Sequence, residues 1–187
     1  MSRLHLVLDA IDRANAADPD RHEGAPAAQL YGRRMSEELA RQVPDAPQTL
    51  RIAARGQHIE RWTIPRASYP EGRQGYLSWR RDLAAFHARR LGEIMAEAGY
   101  GEGEIARVGQ LVRKQGIKRD AQVQALEDVI AMVFLRWYLP AFAAKHPEGK
   151  VADILAKTAR KMSPAARDRA LAAFPDLPAA YRAALGG

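Results

Sequence analysis

The sequence contains no cysteine, which excludes disulfide bonds, thiolate metal ligands and a cysteine nucleophile. It also lacks a long apolar run, because the longest one, 129–135, is far shorter than the roughly 20 residues of a membrane-spanning helix. The N-terminus has no apolar stretch long enough for a signal peptide, since Asp9, Asp12 and Arg13 follow early. These absences predict a cytoplasmic protein with no membrane partner.

Alternating runs of β-branched residues are missing as well, while Ala, Leu, Arg and Glu are abundant, and this composition favours helix. At 187 residues, 47% of them hydrophobic, the chain suits one domain with a sizeable core. We therefore predict an all-α fold, a compact multi-helix single domain over residues 1–187. Hydrophobic periodicity and helix breakers predict helices at about 4–15, 26–43, 49–61, 76–98, 102–114, 121–144, 148–161, 164–173 and 178–185.

The net charge of +7 is concentrated in the middle of the chain. Residues 51–119 carry 14 Lys and Arg against 7 Asp and Glu, whereas the rest of the chain carries 15 against 15. Such an excess indicates either a solvated basic surface or a site for an anionic partner, from a phosphorylated metabolite to RNA. The sequence has no glycine-rich phosphate loop, dinucleotide fingerprint or kinase signature.

A few titratable residues fall on the apolar faces of predicted helices. His58 and His87 each stand four residues after an apolar residue, and Asp128, next to Glu127, lies among apolar residues of the sixth predicted helix. A buried carboxylate must be paired, hydrogen-bonded or bound to a metal. Two interpretations follow: His58, His87 and Asp128 hold one divalent ion such as zinc, iron or manganese, or they form hydrogen bonds and ion pairs in the core.

The segment 58–82 is dense in arginine and aromatic residues. Arginine binds phosphate through two parallel hydrogen bonds, and aromatic rings stack on nucleic acid bases. The candidates for binding an anionic substrate are Arg66, Arg73, Trp79 and Arg80, together with Lys114 from the basic turn after the fifth predicted helix. The alternative is that the aromatic side chains anchor this segment to the core, that the arginines are solvated, and that Lys114 only balances a helix end.

A resemblance to a known family is carried by the stretches 50–62, 64–66, 69–70, 75–80, 86–87, 112–114, 124–129 and 133–135. They look like the family filed as domain of unknown function 4202, and the resemblance spans most of the chain. More distantly, the order of His58, His87 and Asp128 on successive helices resembles the HD superfamily of metal-dependent phosphohydrolases. That resemblance implies an HD-like helical arrangement in which these three residues bind the metal. The chain departs from the superfamily pattern where Ala88 follows His87 in place of aspartate, and where Lys114 replaces a histidine of some members.

The sequence thus predicts a divergent HD-like phosphohydrolase acting on a nucleotide or another phosphorylated small molecule. A metal bound by His58, His87 and Asp128 would activate water, and Glu127 would orient or deprotonate that water. The basic residues would neutralise the substrate phosphate. The alternatives are a non-catalytic RNA- or nucleotide-binding helical module and a helical scaffold for a protein partner.

Overall fold

The computed structural model describes residues 1–186, which are mainly α-helical. Within those residues lie ten α-helices: α1 (Arg3–Asn15), α2 (Ala27–Gln42), α3 (Gln48–Arg55), α4 (Gly72–Glu97), α5 (Glu102–Val112), α6 (Ala121–Val133), α7 (Leu139–Ala143), α8 (Glu148–Ala159), α9 (Pro164–Ala173) and α10 (Ala179–Gly186). The all-α prediction is confirmed. None of the helices in this described range is both long enough and apolar enough for a membrane crossing.

The chain divides into two compact units, the first spanning Met1–Gln115 and the second beginning at Gly116. In the first unit, α3 packs against α2 and α5, and α4 packs along α5. Its core is built from apolar side chains that each helix buries, among them Ile11, Met35, Leu50, Leu91 and Leu111. That residues 1–187 form a single domain stays a prediction.

A short hairpin that the sequence did not predict joins α1 to α2. Its strands β1 (Arg21–His22) and β2 (Ala25–Pro26) pair antiparallel. Asp18 is buried just before the hairpin, and its carboxylate accepts hydrogen bonds from the backbone N–H groups of Asp20 (2.9 Å) and Ala28 (2.8 Å). These bonds satisfy the buried carboxylate and fix the path of the chain into α2.

The third predicted helix is too long, because α3 ends at Arg55 and not at Arg61. His58 therefore lies in a turn after the helix, and its predicted place on a helical face is wrong. Gly56 caps the end of α3 and packs closely on α4, where an added β-carbon would lie 2.4 Å from a methyl carbon of Leu91. A β-carbon here would require the buried Leu91 side chain to move, so glycine allows the end of α3 to lie this close to α4.

In the second unit, the helix predicted over 121–144 is interrupted. After α6, a π-helical turn covers Phe134–Tyr138, and α7 begins at Leu139. Pro140 accounts for the break, since its nitrogen has no hydrogen to donate and its ring would collide with a carbonyl of the preceding turn in a continuous α-helix. The buried core of this unit includes Met132, Leu135, Val151, Leu155, Ala166, Ala170 and Leu185.

Candidate anion-binding site

A pocket of about 400 Å³ lies in the first unit, formed by α4, the turn after α3 and the end of α5. We call it the cationic pocket, because five of its lining side chains carry a positive charge and, in the described part of the chain, none carries a negative one. The lining residues are Gln57, His58, Arg61, Arg80, Arg81, Leu83, Ala84, His87, Val112, Arg113, Lys114 and Gln115.

His58 reaches the cationic pocket from the turn that follows α3. Its ring stacks on Tyr31, with the two ring centroids 3.8 Å apart. The ring of His87, from α4, lies 6.4 Å from that of His58, measured between centroids. The two histidines that the sequence singled out are therefore neighbours in one pocket.

The turn that carries His58 is held by Glu60. This residue adopts a left-handed conformation, with φ of +47°, which is uncommon outside glycine. Its backbone N–H donates to Asn15 Oδ1 (2.9 Å), and its carboxylate pairs with Arg90 (2.8 Å). These bonds to α1 and α4 fix the turn in a position from which His58 faces the pocket.

Two buried polar side chains of the pocket have atoms without a hydrogen-bond partner in the described chain: Nε2 of His87 and Oε1 of Gln57. His87 is 3% exposed and Gln57 is 6% exposed. A buried polar atom left unpaired costs roughly 1–3 kcal/mol of stability. Unpaired atoms of this kind in a pocket point to a group that is absent from the free protein, such as a bound ligand.

Both histidines are neutral at ordinary pH. Burial, followed by the charges of Arg61 and Arg80, lowers the pKa of His87 to about 3. Burial, followed by the charges of Arg61 and neighbouring basic groups, lowers the pKa of His58 well below its usual value. The positive charge of the cationic pocket therefore comes from its arginines and its lysine.

Arg61 and Arg80 have no carboxylate partner in residues 1–186. The Arg61 guanidinium stands over the ring of Trp79, 4.7 Å from its centroid. Burial and the charge of Arg80 both lower the pKa of Arg61, which means that the two guanidinium groups repel each other. Arg81, by contrast, is paired with Asp82 at 2.9 Å. The pocket thus holds two arginines that, in the described chain, no carboxylate neutralises.

Lys114 lines the pocket from an unfavourable backbone conformation. It follows the end of α5 with φ of +57°, and its N–H donates to the carbonyl of Leu111 (3.0 Å). Glycine is the usual residue at such a position, since a side chain there costs about 1 kcal/mol. Strained backbone positions concentrate at functional sites, which supports a role for the Lys114 ammonium.

The other predicted substrate-binding residues lie outside the lining of the pocket. Arg66 donates to the backbone carbonyl of Tyr69 (2.9 Å), and Arg73 is exposed on the first turn of α4. Trp79 is buried, and its Nε1–H donates to the carbonyl of Ile64 (2.9 Å). Trp79 thus anchors the segment 58–82, which was the alternative considered for its aromatic side chains, and Arg66 binds the backbone of the same segment.

Of the predicted residues, His58, Arg80, His87 and Lys114 come together in the cationic pocket. Arg61 was not among the predicted site residues. The third predicted helix was too long and placed Arg61 at its end, where no role was assigned to it. The sequence analysis also missed Gln57, Arg81 and Arg113. The signal that could have found Arg61 and Arg113 is the charge excess of the segment 51–119.

Asp128 belongs to the second unit, where its carboxylate is fully engaged. Oδ1 accepts hydrogen bonds from the Ser163 backbone N–H (2.8 Å) and from Gln124 Nε2 (2.9 Å), and Oδ2 accepts from the Ser163 hydroxyl (2.7 Å). Ser163 caps α9, with its hydroxyl oxygen accepting from the N–H of Ala166 (3.1 Å). Asp128 therefore ties α6 to the start of α9. Glu127 is buried beside it and has polar contacts of its own.

No group of three histidine, aspartate or glutamate side chains in residues 1–186 is arranged to hold a metal ion. The hydrogen bonds of Asp128 already occupy the oxygens that would bind the metal. The zinc, iron or manganese ion stays a sequence prediction.

Fold and site together define an all-α protein with a cationic pocket. The chain belongs to the family described as Domain of unknown function (DUF4202), whose model matches residues 5–184. This confirms the resemblance to domain of unknown function 4202, and the more distant resemblance to the HD superfamily stays a prediction. Comparisons with curated proteins and with solved structures found no match.

Proposed function

We propose that the first unit binds a phosphorylated small molecule, with the phosphate in the cationic pocket between Arg61 and Arg80. The observation that carries this proposal is the pair of guanidinium groups that repel each other and have no carboxylate partner in the described chain. A phosphate group accepts several charge-assisted hydrogen bonds and neutralises both arginines.

The neutral histidines add recognition without adding charge. A neutral imidazole offers one N–H donor and one acceptor nitrogen, and the acceptor suits a protonated phosphate oxygen or a sugar hydroxyl. Gln57 adds a carbonyl oxygen that accepts from a hydroxyl. The pocket therefore suits a phosphate ester with nearby hydroxyl groups better than it suits a bare inorganic anion.

Hydrolysis of the bound ligand stays a sequence prediction. Its predicted water-activating centre used Asp128 and Glu127, and the Asp128 carboxylate accepts hydrogen bonds from Ser163 at the start of α9. Burial lowers the pKa of His87 to about 3 and the pKa of His58 well below its usual value, so neither histidine is suited to act as a general base at neutral pH. Binding is the activity that the placed residues support. We place it in the cytoplasm, where phosphorylated metabolites are made and used.

The test is a titration of ribose 5-phosphate into the parent protein and two variants. Arg80→Gln removes a charge from the pocket, and Arg73→Gln removes the same charge from an exposed position of the same helix. Loss of a charge-assisted hydrogen bond worth about 1.5–3 kcal/mol predicts a 10- to 100-fold weaker affinity for Arg80→Gln only. Equal affinities in both variants, or no binding by the parent, would reject the proposal.

The dependence of affinity on salt concentration distinguishes the RNA partner, which the sequence predicted, from a small phosphate ligand. A single phosphate in a pocket releases few counterions, so affinity falls shallowly with salt concentration, whereas an RNA strand that contacts many phosphates gives a steep slope. Repeating the titration at several salt concentrations with a short single-stranded RNA and with ribose 5-phosphate distinguishes the two partners.

A further inference from the structure

The pocket-facing side of α4 continues beyond the cationic pocket to an exposed aromatic ring. Arg80, Leu83, Ala84 and His87 line the pocket with helical spacing, and Tyr76 lies one turn before Arg80 on the same face. One turn of helix rises about 5.4 Å. The Tyr76 side chain is 46% exposed, so one side of its ring is available to a ligand.

Tyr76 is connected to the arginine pair by a series of ring contacts. Its ring centroid lies 5.8 Å from that of Trp79, and the same Trp79 ring carries the Arg61 guanidinium at 4.7 Å. The electrostatic effect of Tyr76 on the pKa of Arg61 also shows that the two side chains are near each other. An exposed aromatic ring therefore stands near Arg61, with the Trp79 ring in contact with both side chains.

We propose that the ligand is a nucleoside phosphate, whose base stacks on Tyr76 while its phosphate binds between Arg61 and Arg80. This inference rests on the proposed function and adds the base. A stacking platform beside a cationic groove is the usual means of binding nucleotides without reading their sequence, since every base has a π-face. The buried Gln57 and His87 provide polar partners for the ribose hydroxyl groups.

The experiment compares AMP with ribose 5-phosphate, which lacks the base. Tyr76→Ala removes the ring, Tyr76→Phe retains it, and Leu77→Ala is a matched control because Leu77 is the next residue of α4 and is equally exposed, at 48%. We expect the parent, Tyr76→Phe and Leu77→Ala to bind AMP about tenfold more tightly than ribose 5-phosphate. In Tyr76→Ala the two ligands should bind equally.

The outcomes separate the two proposals. If the parent binds AMP and ribose 5-phosphate with equal affinity, the nucleoside proposal is overturned and the phosphate site stands. If Tyr76→Ala keeps the preference for AMP, the base does not stack on Tyr76. If the parent binds neither ligand, the proposed function itself fails. A single-stranded RNA that binds far more tightly than AMP, with a steep salt slope, overturns the small-nucleotide ligand in favour of RNA.

Discussion

The carboxylate of Asp128 in the second unit and the arginine pair of the first unit differ in how their charges are satisfied. Asp128 is buried and accepts three hydrogen bonds from neighbouring side chains and backbone. Arg61 and Arg80 line a pocket, repel each other and have no carboxylate partner within residues 1–186. The sequence marked both regions as candidate sites, Asp128 because it lies among apolar residues of a predicted helix and the segment 58–82 because it is dense in arginine and aromatic residues.

The difference shows which kind of polar cluster indicates a ligand. A buried charge with a complete set of hydrogen bonds stabilises the fold and needs nothing from outside the molecule. A partly buried charge without a partner lowers stability until something binds it. The comparison predicts that variants of the second unit change stability alone, whereas variants of the cationic pocket change binding.

The largest effect is expected from Asp128→Ala. The substitution leaves the Ser163 N–H, the Ser163 hydroxyl and the Gln124 amide without their shared acceptor. We expect the free energy of unfolding to fall by about 3 kcal/mol, measured by urea denaturation. Asp153→Ala is the control, since Asp153 is exposed on α8 and should change stability little. Affinity for ribose 5-phosphate should be unchanged in folded Asp128→Ala, and a loss of binding would show that Asp128 takes part in the site.

The next effect is a dependence of stability on pH that comes from His87. Its pKa is about 3 in the folded protein and 6.5 in the unfolded chain, so the unfolded chain binds the proton first as the pH falls. Stability is therefore unaffected above pH 6.5 and decreases as the pH falls from 6.5 toward 3. At pH 5 the loss from this group is about 2 kcal/mol.

The check is urea denaturation from pH 7 to pH 5 of the parent and of His87→Asn, whose side chain does not titrate. The decrease should be about 2 kcal/mol smaller in the variant. Parallel curves for the two proteins would mean that His87 titrates normally in the folded state, and that the pocket is less shielded from water than the structure indicates.

A smaller effect on stability, with a clear effect on binding, is expected from Lys114→Gly. Glycine adopts the left-handed backbone of this position freely, so the change removes the ammonium without straining the chain. We expect stability to change by less than about 1 kcal/mol and affinity for ribose 5-phosphate to fall several-fold. Lys118→Gly is a matched control, because Lys118 has φ of +66° and lies outside the pocket lining. Equal affinities in the two variants would remove Lys114 from the site.

Much of the fold follows from local sequence. The helices of the first unit were placed within a few residues, except where α3 ends at Gly56. Gly56 is a local signal for that end, and its close contact with Leu91 is a tertiary feature that helical periodicity cannot reveal. The π-helical turn before Pro140 also had a local signal, since a proline inside a predicted helix removes a hydrogen bond.

The candidate site was predictable in part. His58, His87, Arg80 and Lys114 were found because their chemistry is conspicuous beside apolar residues or within a basic segment. Asp128 was grouped with them because it lies among apolar residues of a predicted helix and because of the HD resemblance. Its hydrogen-bond partner Ser163 is 35 residues away in the sequence. The pairing of a carboxylate with a helix end depends on how the helices pack. Hydrophobic periodicity carries no information about that packing.

The most direct test of this account is thermal unfolding of Arg80→Gln with and without inorganic phosphate, at constant ionic strength set with chloride. Because the Arg61–Arg80 repulsion is removed, the variant should unfold about 3 °C above the parent without phosphate. Saturating phosphate should stabilise the parent, by about 2.7 kcal/mol at 100 times Kd, and should stabilise the variant much less. The account is contradicted if Arg80→Gln is less stable than the parent without phosphate and if phosphate stabilises the variant as much as it stabilises the parent.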